Sequence, residues 1–574
     1  MKKLLVLAAT TVAVLIATAA PAFAHAVLDG TIPAPSSTVR TSPKSVELQF
    51  SEPVTFQSNG IRVFNTKGDA VSTGKPQHAN GKSNTAAVSI PTLSDGTYVV
   101  TWRVISSDTH PVQGAFSFAV GNAQVSSTDS AIAQRLLSKQ GGHDTVVGVT
   151  FGVVRFLTFV SLALLIGIGA FLVALWPAGW GSTRVQRVLV GSWVVAFLTA
   201  LAAIPLQAAY ASGGGLAKAT DSAALSDTIG TRAGHAWIAR AILLLVAIPL
   251  LRALSRRRDS RPLIVGGVAL GALLSLTLSL AGHATTGRWV ALAVPADALH
   301  VMAMAAWFGG LAVLALEPLR GADIDAVERV VDRFSTMAMS CVAVIVATGA
   351  FQSVRQVEHL NDLLHTGYGR LLLVKLGGFA AVLIVASASR DIVRYEVRSS
   401  GRAALNPLPA GPGAMLATPD LPEPEDTVRR LRSAVWFEIV FALAVLAVTA
   451  LLVNAAPVSA QSAMKPYLAT VKSADGKTWF EVEVAPARVG ANQVHVTAEQ
   501  PTGVVQPVLQ LHVFLSEPAK NIAPIEVKMI RLGPGHYAST GASIPFPGQW
   551  TITCKALVTD INEEVGIGTF KAGS

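Results

Sequence analysis

Three residues of the first 110 could together hold a metal ion. Lys2 and Lys3, the apolar run Leu4 to Ala17 and the triplet Ala22-Phe23-Ala24 make the pattern of a cleaved secretory signal. Cleavage after Ala24 leaves His25 as the mature N-terminus, with two chelating nitrogens, its α-amine and its ring Nδ1. Asp108-Thr109-His110 offers a carboxylate and a second imidazole. In extended chain, residues i and i+2 point to one face, so these two side chains are expected to converge. Three nitrogens and one oxygen suit tetragonal Cu(II), which also heads the affinity series for such ligands. A D-x-H triplet alone is more often a surface turn. The histidine at the cleavage site is what singles this one out.

A second set lies within apolar stretches. Asp297, His300, Met304 and Trp307 follow one another at i, i+3, i+7 and i+10, which lines them along one face of a helix. Ionisable groups within a membrane span are costly and mark functional positions. His300 falls about 15 Å along its stretch at a helical rise of about 1.5 Å per residue. His235 and His283 sit at the ends of two other stretches, and His359 and His365 in a connecting loop. All belong to the same half of the bundle that the alternation of stretches implies. Met302 neighbours the acidic face. Met337 and Cys341 share a face at the opposite end of another stretch, with Met339 nearby. Soft sulfur suits Cu(I). The pattern reads as a copper path, from His235, His283, Asp297 and His300 through Met302 and Met304 to Met337, Met339 and Cys341. Against it stands the ordinary role of Met and Cys in spans, which is packing. Arg155, Arg240 and Lys375 also lie within stretches and are expected to snorkel or to pair with Asp297.

The elements that must position these residues follow from composition and patterning. The chain has 574 residues, 51% hydrophobic and only 14% charged, against about 25% charged in soluble domains. With a mean hydropathy of +0.49, this excludes a purely soluble or a disordered chain. Two cysteines far apart, Cys341 and Cys554, exclude a disulfide scaffold or a Cys-built zinc or iron–sulfur site. Eight apolar stretches are long enough to span about 30 Å of hydrocarbon: 148–176, 188–211, 236–254, 263–282, 290–316, 335–354, 370–389 and 435–456. The loops on one side carry seventeen Arg and Lys residues, Arg256, Arg257 and Arg258 among them. The loops on the other side carry five: Lys218, Arg232, Arg288, Arg355 and Arg370. The positive-inside rule then puts both chain ends outside the cell membrane. Much of the +10 net charge is therefore orientation signal, and nucleic acid is dropped as a partner. The Pro- and Gly-rich stretch 400–428 reads as a flexible cytoplasmic loop.

On either side of the spans the chain alternates as strands do. Ser45–Phe50, Gly60–Phe64, Ala86–Ile90, Thr97–Trp102 and Ala115–Val120 come first; Trp479–Val484, Gln493–Thr497, Val508–Phe514 and Trp550–Cys554 come last. Short strands with frequent turn residues point to antiparallel sandwiches. The expected organisation is a signal (1–24), an all-β Greek-key sandwich (25–122), a polar linker (123–144), an eight-helix α transmembrane bundle (145–457) and a second all-β sandwich (458–574).

Some stretches resemble known families. His25-Ala-Val-Leu-Asp-Gly-Thr-Ile-Pro-Ala-Pro35, Leu48-Gln-Phe-Ser-Glu-Pro-Val54 and Val104-Ile-Ser-Ser-Asp-Thr-His-Pro-Val-Gln-Gly114 resemble CopC, an exported copper-binding protein. The resemblance implies Cu(II) on His25, Asp108 and His110. It does not extend to a methionine-rich Cu(I) site, since residues 25–125 contain no methionine. His78 lies in a polar loop and is expected to be solvated. Leu280-Ala-Gly-His-Ala284, Asp297 to Gly310 and Gly369-Arg-Leu-Leu-Leu-Val-Lys375 resemble CopD, the multi-span partner of CopC. Gly490–Val494, Leu532–Tyr537 and Phe546–Trp550 resemble YtkA-like exported β domains more weakly. There His495, His512 and His536 are candidate ligands with no tight spacing, and Cys554 reads as core.

The leading expectation is a copper transporter. The first domain captures Cu(II) and the spans carry copper, as Cu(I) if the sulfur ligands serve, inward. No catalytic residue is assigned, so an enzyme is not expected. No G-x-x-x-x-G-K-[ST] loop is present, so movement would follow the membrane potential, about 2.3 kcal/mol per charge per 100 mV. Two alternatives stay open. One is a membrane redox protein such as a haem-containing cupric reductase using the span histidines. The other is a copper chaperone for exported copper proteins.

Overall fold

The computed structural model describes residues 26–123 except 27, 36, 58, 108 and 110; positions 132, 135 and 136; 145–391 except 214, 287, 288, 321–323, 358–361 and 366; 424–454; and 467–573 except 486, 488, 521 and 540. The helices form one compact unit and the two β regions belong to another. The signal segment, nearly all of the linker and most of the 400–428 stretch lie outside the described residues.

The N-terminal strands are set by alternation. In β3 (Ser45–Phe50), Val46, Leu48 and Phe50 point inward and are fully buried, while the residues between them are not. β3 pairs with β1 (Leu28–Ile32) and β7 (Thr85–Ser89) in one sheet. The other sheet runs β2 (Thr38–Val39), β9 (Pro111–Val120), β8 (Gly96–Ser106), β5 (Ile61–Asn65), β6 (Ala70–Val71), with β4 (Val54–Thr55) also on β8. All pairings are antiparallel except that of β2 with β9. The two sheets share one core, where Phe50 meets Trp102 edge-on at 5.4 Å. Trp102 pairs with Gly114 across the sheet, and a Cβ on Gly114 would fall 2.5 Å from the indole, so the ring uses the space a side chain would fill.

Eight helices among the described residues are long and apolar enough to cross a membrane. They are α1 (Thr145–Ala174), α2 (Thr183–Ser212), α3 (Arg232–Arg256), α4 (Arg261–Leu280), α5 (Val290–Leu316), α6 (Ile324–Gln356), α7 (Gly367–Asp391) and α8 (Pro424–Asn454). Every apolar stretch read from the sequence falls on one of them. The consecutive pairs α3–α4, α4–α5, α5–α6 and α7–α8 pack on one another. α5 is the most enclosed and packs on α1, α4, α6 and α8. Its backbone meets that of α1 directly. A Cβ on Gly167 would lie 1.9 Å from the Ala305 carbonyl oxygen, and one on Gly309 would lie 2.6 Å from the Gly167 Cα. Small residues at such a seam are how helices pack closely in lipid, where no hydrophobic drive separates helix from solvent.

The C-terminal region is a second sandwich. One sheet runs β10 (Tyr467–Lys472), β11 (Trp479–Ala485), β12 (Gly490–Glu499), β16 (His536–Ser539), β15 (Met529–Gly533), with β17 (Ala542–Ile544) on β12. The other runs β14 (Ile522–Val527), β13 (Gln510–Glu517), β18 (Gly548–Thr559), β19 (Asn562–Ala572). Phe480, Trp550 and Phe570 fill the shared core. Cys554 is core, as its alternation with Ile552 suggested: it is fully buried, and burial pushes its thiol up to about 12.

Candidate functional site

His25, Asp108 and His110 lie outside the described residues, but their neighbours are placed. Ala26 is buried in the first sandwich core. β8 ends at Ser106 and β9 begins at Pro111, paired through Ile105 and Pro111. Between them, Thr109 is buried and sits at φ 79, with its N–H donating to the Ser106 carbonyl at 3.0 Å. Ser107 and Thr109 are thus turn residues, and the expected convergence of Asp108 and His110 falls on residues outside the described ones. A β-branched residue with positive φ is a genuine outlier, and such strain persists only where its surroundings enforce it. Here Ser107 helps: its N–H donates to Glu52 and its hydroxyl to the Pro53 carbonyl. His78 is exposed, yet it is more than solvated. Its Nδ1 bonds the Thr85 carbonyl at 2.7 Å, and its ring stands edge-on to Phe56.

The second group of candidates is built around α5. The face Asp297–His300–Met304–Trp307 is real and addresses three helices. The Ser279 hydroxyl on α4 donates to Asp297 Oδ2 at 2.7 Å. His300 Nδ1 meets Thr348 Oγ1 on α6 at 2.9 Å. Trp307 stands edge-on to Phe379 of α7 at 6.2 Å, and Met304 packs into the bundle core. The Thr348 bond fixes the tautomer of His300. The Thr348 hydroxyl gives its one proton to the Val344 carbonyl at 2.6 Å, so toward His300 it can only accept. The Nδ1 therefore carries the hydrogen, and Nε2 keeps the lone pair that a metal or a proton would use. Lys375 on α7 lies within electrostatic reach of both Asp297 and His300, and His283 and Arg355 within reach of Asp297. Among the described residues, no three His, Cys, Asp or Glu side chains gather closely enough to hold one ion together.

The other expected path residues are more scattered. His235 is exposed on the first turn of α3. His283 lies in a short 3₁₀ turn after α4, partly buried. Met302 is half-buried, Met337 and Cys341 pack into the bundle core, and Met339 is 40% exposed, facing away from them. Buried in apolar packing, Cys341 and Met337 fit the packing role at least as well as a sulfur relay. His359 and the His365 side chain lie outside the described residues.

The span cations divide differently from the expectation. Of the three, Lys375 is the one within electrostatic reach of Asp297. Arg155 donates to the Val453 carbonyl at 3.2 Å and covers the Phe151 ring. Arg240 is buried against Thr277, donating to its hydroxyl at 2.9 Å and its carbonyl at 3.0 Å. Two further polar groups were missed. Arg355, taken from sequence as a loop cation, is buried in the last turn of α6 and donates to the Thr286 carbonyl and the Gln352 side chain. Glu438 on α8 is 3% exposed and accepts from the Ser389 hydroxyl of α7 at 2.6 Å. A carboxylate in the run Trp436-Phe437-Glu438-Ile439 was the available signal.

A β-sandwich followed by eight membrane-length helices, with a His–Asp face on the most enclosed one, is the architecture of a multi-pass membrane protein with an exported-type domain, and comparison with known proteins connects it to copper. Residues 28–121 match the CopC domain model, 146–289 the model of the copper resistance protein D-like N-terminal domain, and 328–452 that of copper resistance protein D. One chain thus carries a CopC domain, a copper resistance protein D-like N-terminal domain and a copper resistance protein D domain. It is 26% identical over 572 residues to the copper transport protein CutJ of Bacillus subtilis, covering 94% of both chains. Its first domain is 36% identical over 106 residues to copper resistance protein C of Escherichia coli, covering 17% of this chain and 83% of the relative. Among solved structures, CopC from Methylosinus trichosporium OB3b is 31% identical, over 18% of this chain and 98% of that one, with a TM-score of 0.16.

Proposed function

We propose that the N-terminal domain captures Cu(II) outside the membrane through His25, Asp108 and His110, and that the bundle carries copper inward along α5. The observation that carries the second half is His300. It sits on the central helix with Nδ1 committed to Thr348 and its Nε2 lone pair available, beside Asp297. Copper is cargo in this reading. A copper ion reaching His300 finds one neutral nitrogen donor and one carboxylate, and Lys375 is the resident cation that balances Asp297 in its absence. Copper arriving at Asp297 adds a positive charge, which the span balances if Lys375 gives up its proton.

Support for capture comes from the neighbourhood of its ligands. The strained turn at Thr109 stands between Asp108 and His110, and the buried Ala26 anchors the chain directly after His25. The positive-inside distribution favours both sandwiches lying outside. With no nucleotide-binding loop in the sequence, entry follows the membrane potential.

The test is copper accumulation in cells expressing the full chain, set against His300→Ala, His300→Gln and His110→Ala. The expected result is loss of accumulation in both His300 variants at unchanged protein level, and a loss in His110→Ala that high external copper overcomes. Equal accumulation in wild type and His300→Ala would refute transport through α5. A Soret band in purified protein would move the conclusion to a haem reductase. Copper delivery to exported enzymes without cellular uptake would move it to a chaperone.

A further inference from the structure

The C-terminal sandwich buries a pair of histidines on the wrong side of its sheet. In β11 and β12, Phe480, Val482, Val484, Val494, Val496 and Ala498 enter the core, none more than 1% exposed. The alternate positions, Glu481, Glu483, His495 and Glu499, must lie on the opposite face. That face would ordinarily be wet. Yet His495 is only 6% exposed, and His536 on β16 only 5%. The register sets His495 opposite Ala538 and Thr497 opposite His536, so the two imidazoles sit diagonally on neighbouring strands. Their ring centroids are 5.9 Å apart, with planes at 38°. The Nδ1 of His495 is fully enclosed and has no hydrogen-bond partner among the described residues. A buried polar atom without a partner is costly and calls for an explanation.

We propose that His495 and His536 form a copper site in the C-terminal domain, binding Cu(I) between their two imidazoles. The spacing suits it. A metal–imidazole bond of about 2.0 Å, plus about 1.1 Å from nitrogen to ring centre, separates two rings on a nearly linear ion by about 6 Å. The ligand number suits it too. Zinc asks for four ligands and Cu(II) for a tetragonal set, whereas monovalent d¹⁰ copper is content with two. No third His, Cys, Asp or Glu joins the pair among the described residues. Both rings are ready donors: burial holds each well below the ordinary imidazole range, to about 4, so both are neutral at physiological pH. Glu483 of β11 stands directly opposite His495 of β12, where burial raises its carboxyl above the usual range. His512 is no part of the site, because its Nδ1 is taken by Glu526 at 2.7 Å on an exposed surface. The site itself is read from geometry. Only the choice of ion rests on the copper reading above.

The test titrates the purified full chain with Cu(I) buffered by bicinchoninate, for wild type, His495→Leu, His536→Leu and the double variant. Leucine suits a buried position, and a copper-free thermal melt verifies that each variant folds. The expected result is that each variant binds one Cu(I) equivalent fewer than wild type, with a two-nitrogen X-ray absorption signature lost along with that equivalent. If a variant fails to fold, the spectrum of a His110→Ala/His300→Ala chain decides, since that chain keeps this pair intact. A two-nitrogen signal there sustains the site, and none overturns it. Equal stoichiometry in all folded variants, with copper bound elsewhere, overturns this site alone. A wild-type chain that binds no copper overturns the copper reading with it.

Discussion

Replacing Thr348 by valine tests whether the His300 tautomer matters. The two side chains have nearly the same shape, so packing around the position, which is 9% exposed, should hold. What is lost is one oxygen. His300 Nδ1–H forfeits its acceptor at 2.9 Å, while the Val344 carbonyl keeps its place in the α6 ladder. Leaving a buried donor unsatisfied costs about 1–3 kcal/mol, and the neutral ring can escape part of that cost by moving its proton to Nε2. That escape removes the lone pair that copper needs. A penalty of about 1–2 kcal/mol on the binding-competent tautomer corresponds to a ~5- to 30-fold loss of copper affinity at the site, in line with the ~10- to 100-fold effects of outer-shell partners elsewhere. The assay is the initial rate of copper entry into proteoliposomes at limiting copper, for Thr348→Val and Thr348→Ser. Serine keeps the hydroxyl and should restore most of the rate. If valine and serine variants both transport as wild type does, with unchanged melting temperatures, the tautomer argument is refuted.

Three other outcomes follow from the packing. Asp297→Asn removes the negative charge within electrostatic reach of Lys375 and Arg355 and should lower the melting temperature of the bundle in detergent; Asp297→Asn with Lys375→Met should recover much of the loss. Gly167→Ala sets a methyl group 1.9 Å from the Ala305 oxygen. It should cost at least ~1–3 kcal/mol, read as a lower melting temperature, whereas Gly169→Ala, with open space around it, should not. Trp550→Ala empties the centre of the C-terminal core and breaks the indole bond to the Phe546 carbonyl. A loss of about 3–5 kcal/mol should appear in denaturant unfolding followed by fluorescence.

The spans were legible because twenty apolar residues in a row have few other uses. Their ends were less so. α8 begins at Pro424 rather than near 435, and α6 at Ile324 rather than near 335. Hydropathy stops at the first arginines, but backbone hydrogen bonding continues through Arg429, Arg430 and Arg432. In the first sandwich β3, β5, β7, β8 and β9 were read, and β1 and the two-residue strands β2, β4 and β6 were not. In the last, β10, β14, β15, β16, β17 and β19 went unread. Pro524 interrupts β14, which can tolerate it as an edge strand. Gly566 and Gly568 blank the inward positions of β19, because Phe480 and Val471 reach across to fill them. In the bundle, spacing alone aligned Asp297 with His300, since i and i+3 are neighbours on any helix. It could not say that Arg240 would meet Thr277 or that Arg355 would meet Thr286. Those pairs join residues 37 and 69 positions apart and exist only once the helices pack. The turn at Thr109 escaped for a local reason: threonine gives no hint of a left-handed backbone.

The bare seam between Gly167 and Gly309 limits how this bundle can move. Where two helices touch through side chains, a change of rotamer lets one slide past the other. Where they touch through main chain, nothing is left to rearrange, so α1 and α5 travel together as one beam. α5 meets α4 and α6 through side chains instead: Ser279 donates to Asp297, His300 bonds Thr348, and Gln352 donates to the Ala293 carbonyl. Any alternation in the exposure of His300 is therefore a hinge motion of the surrounding helices about a fixed mast, and a cross-link between α1 and α5 should leave it free.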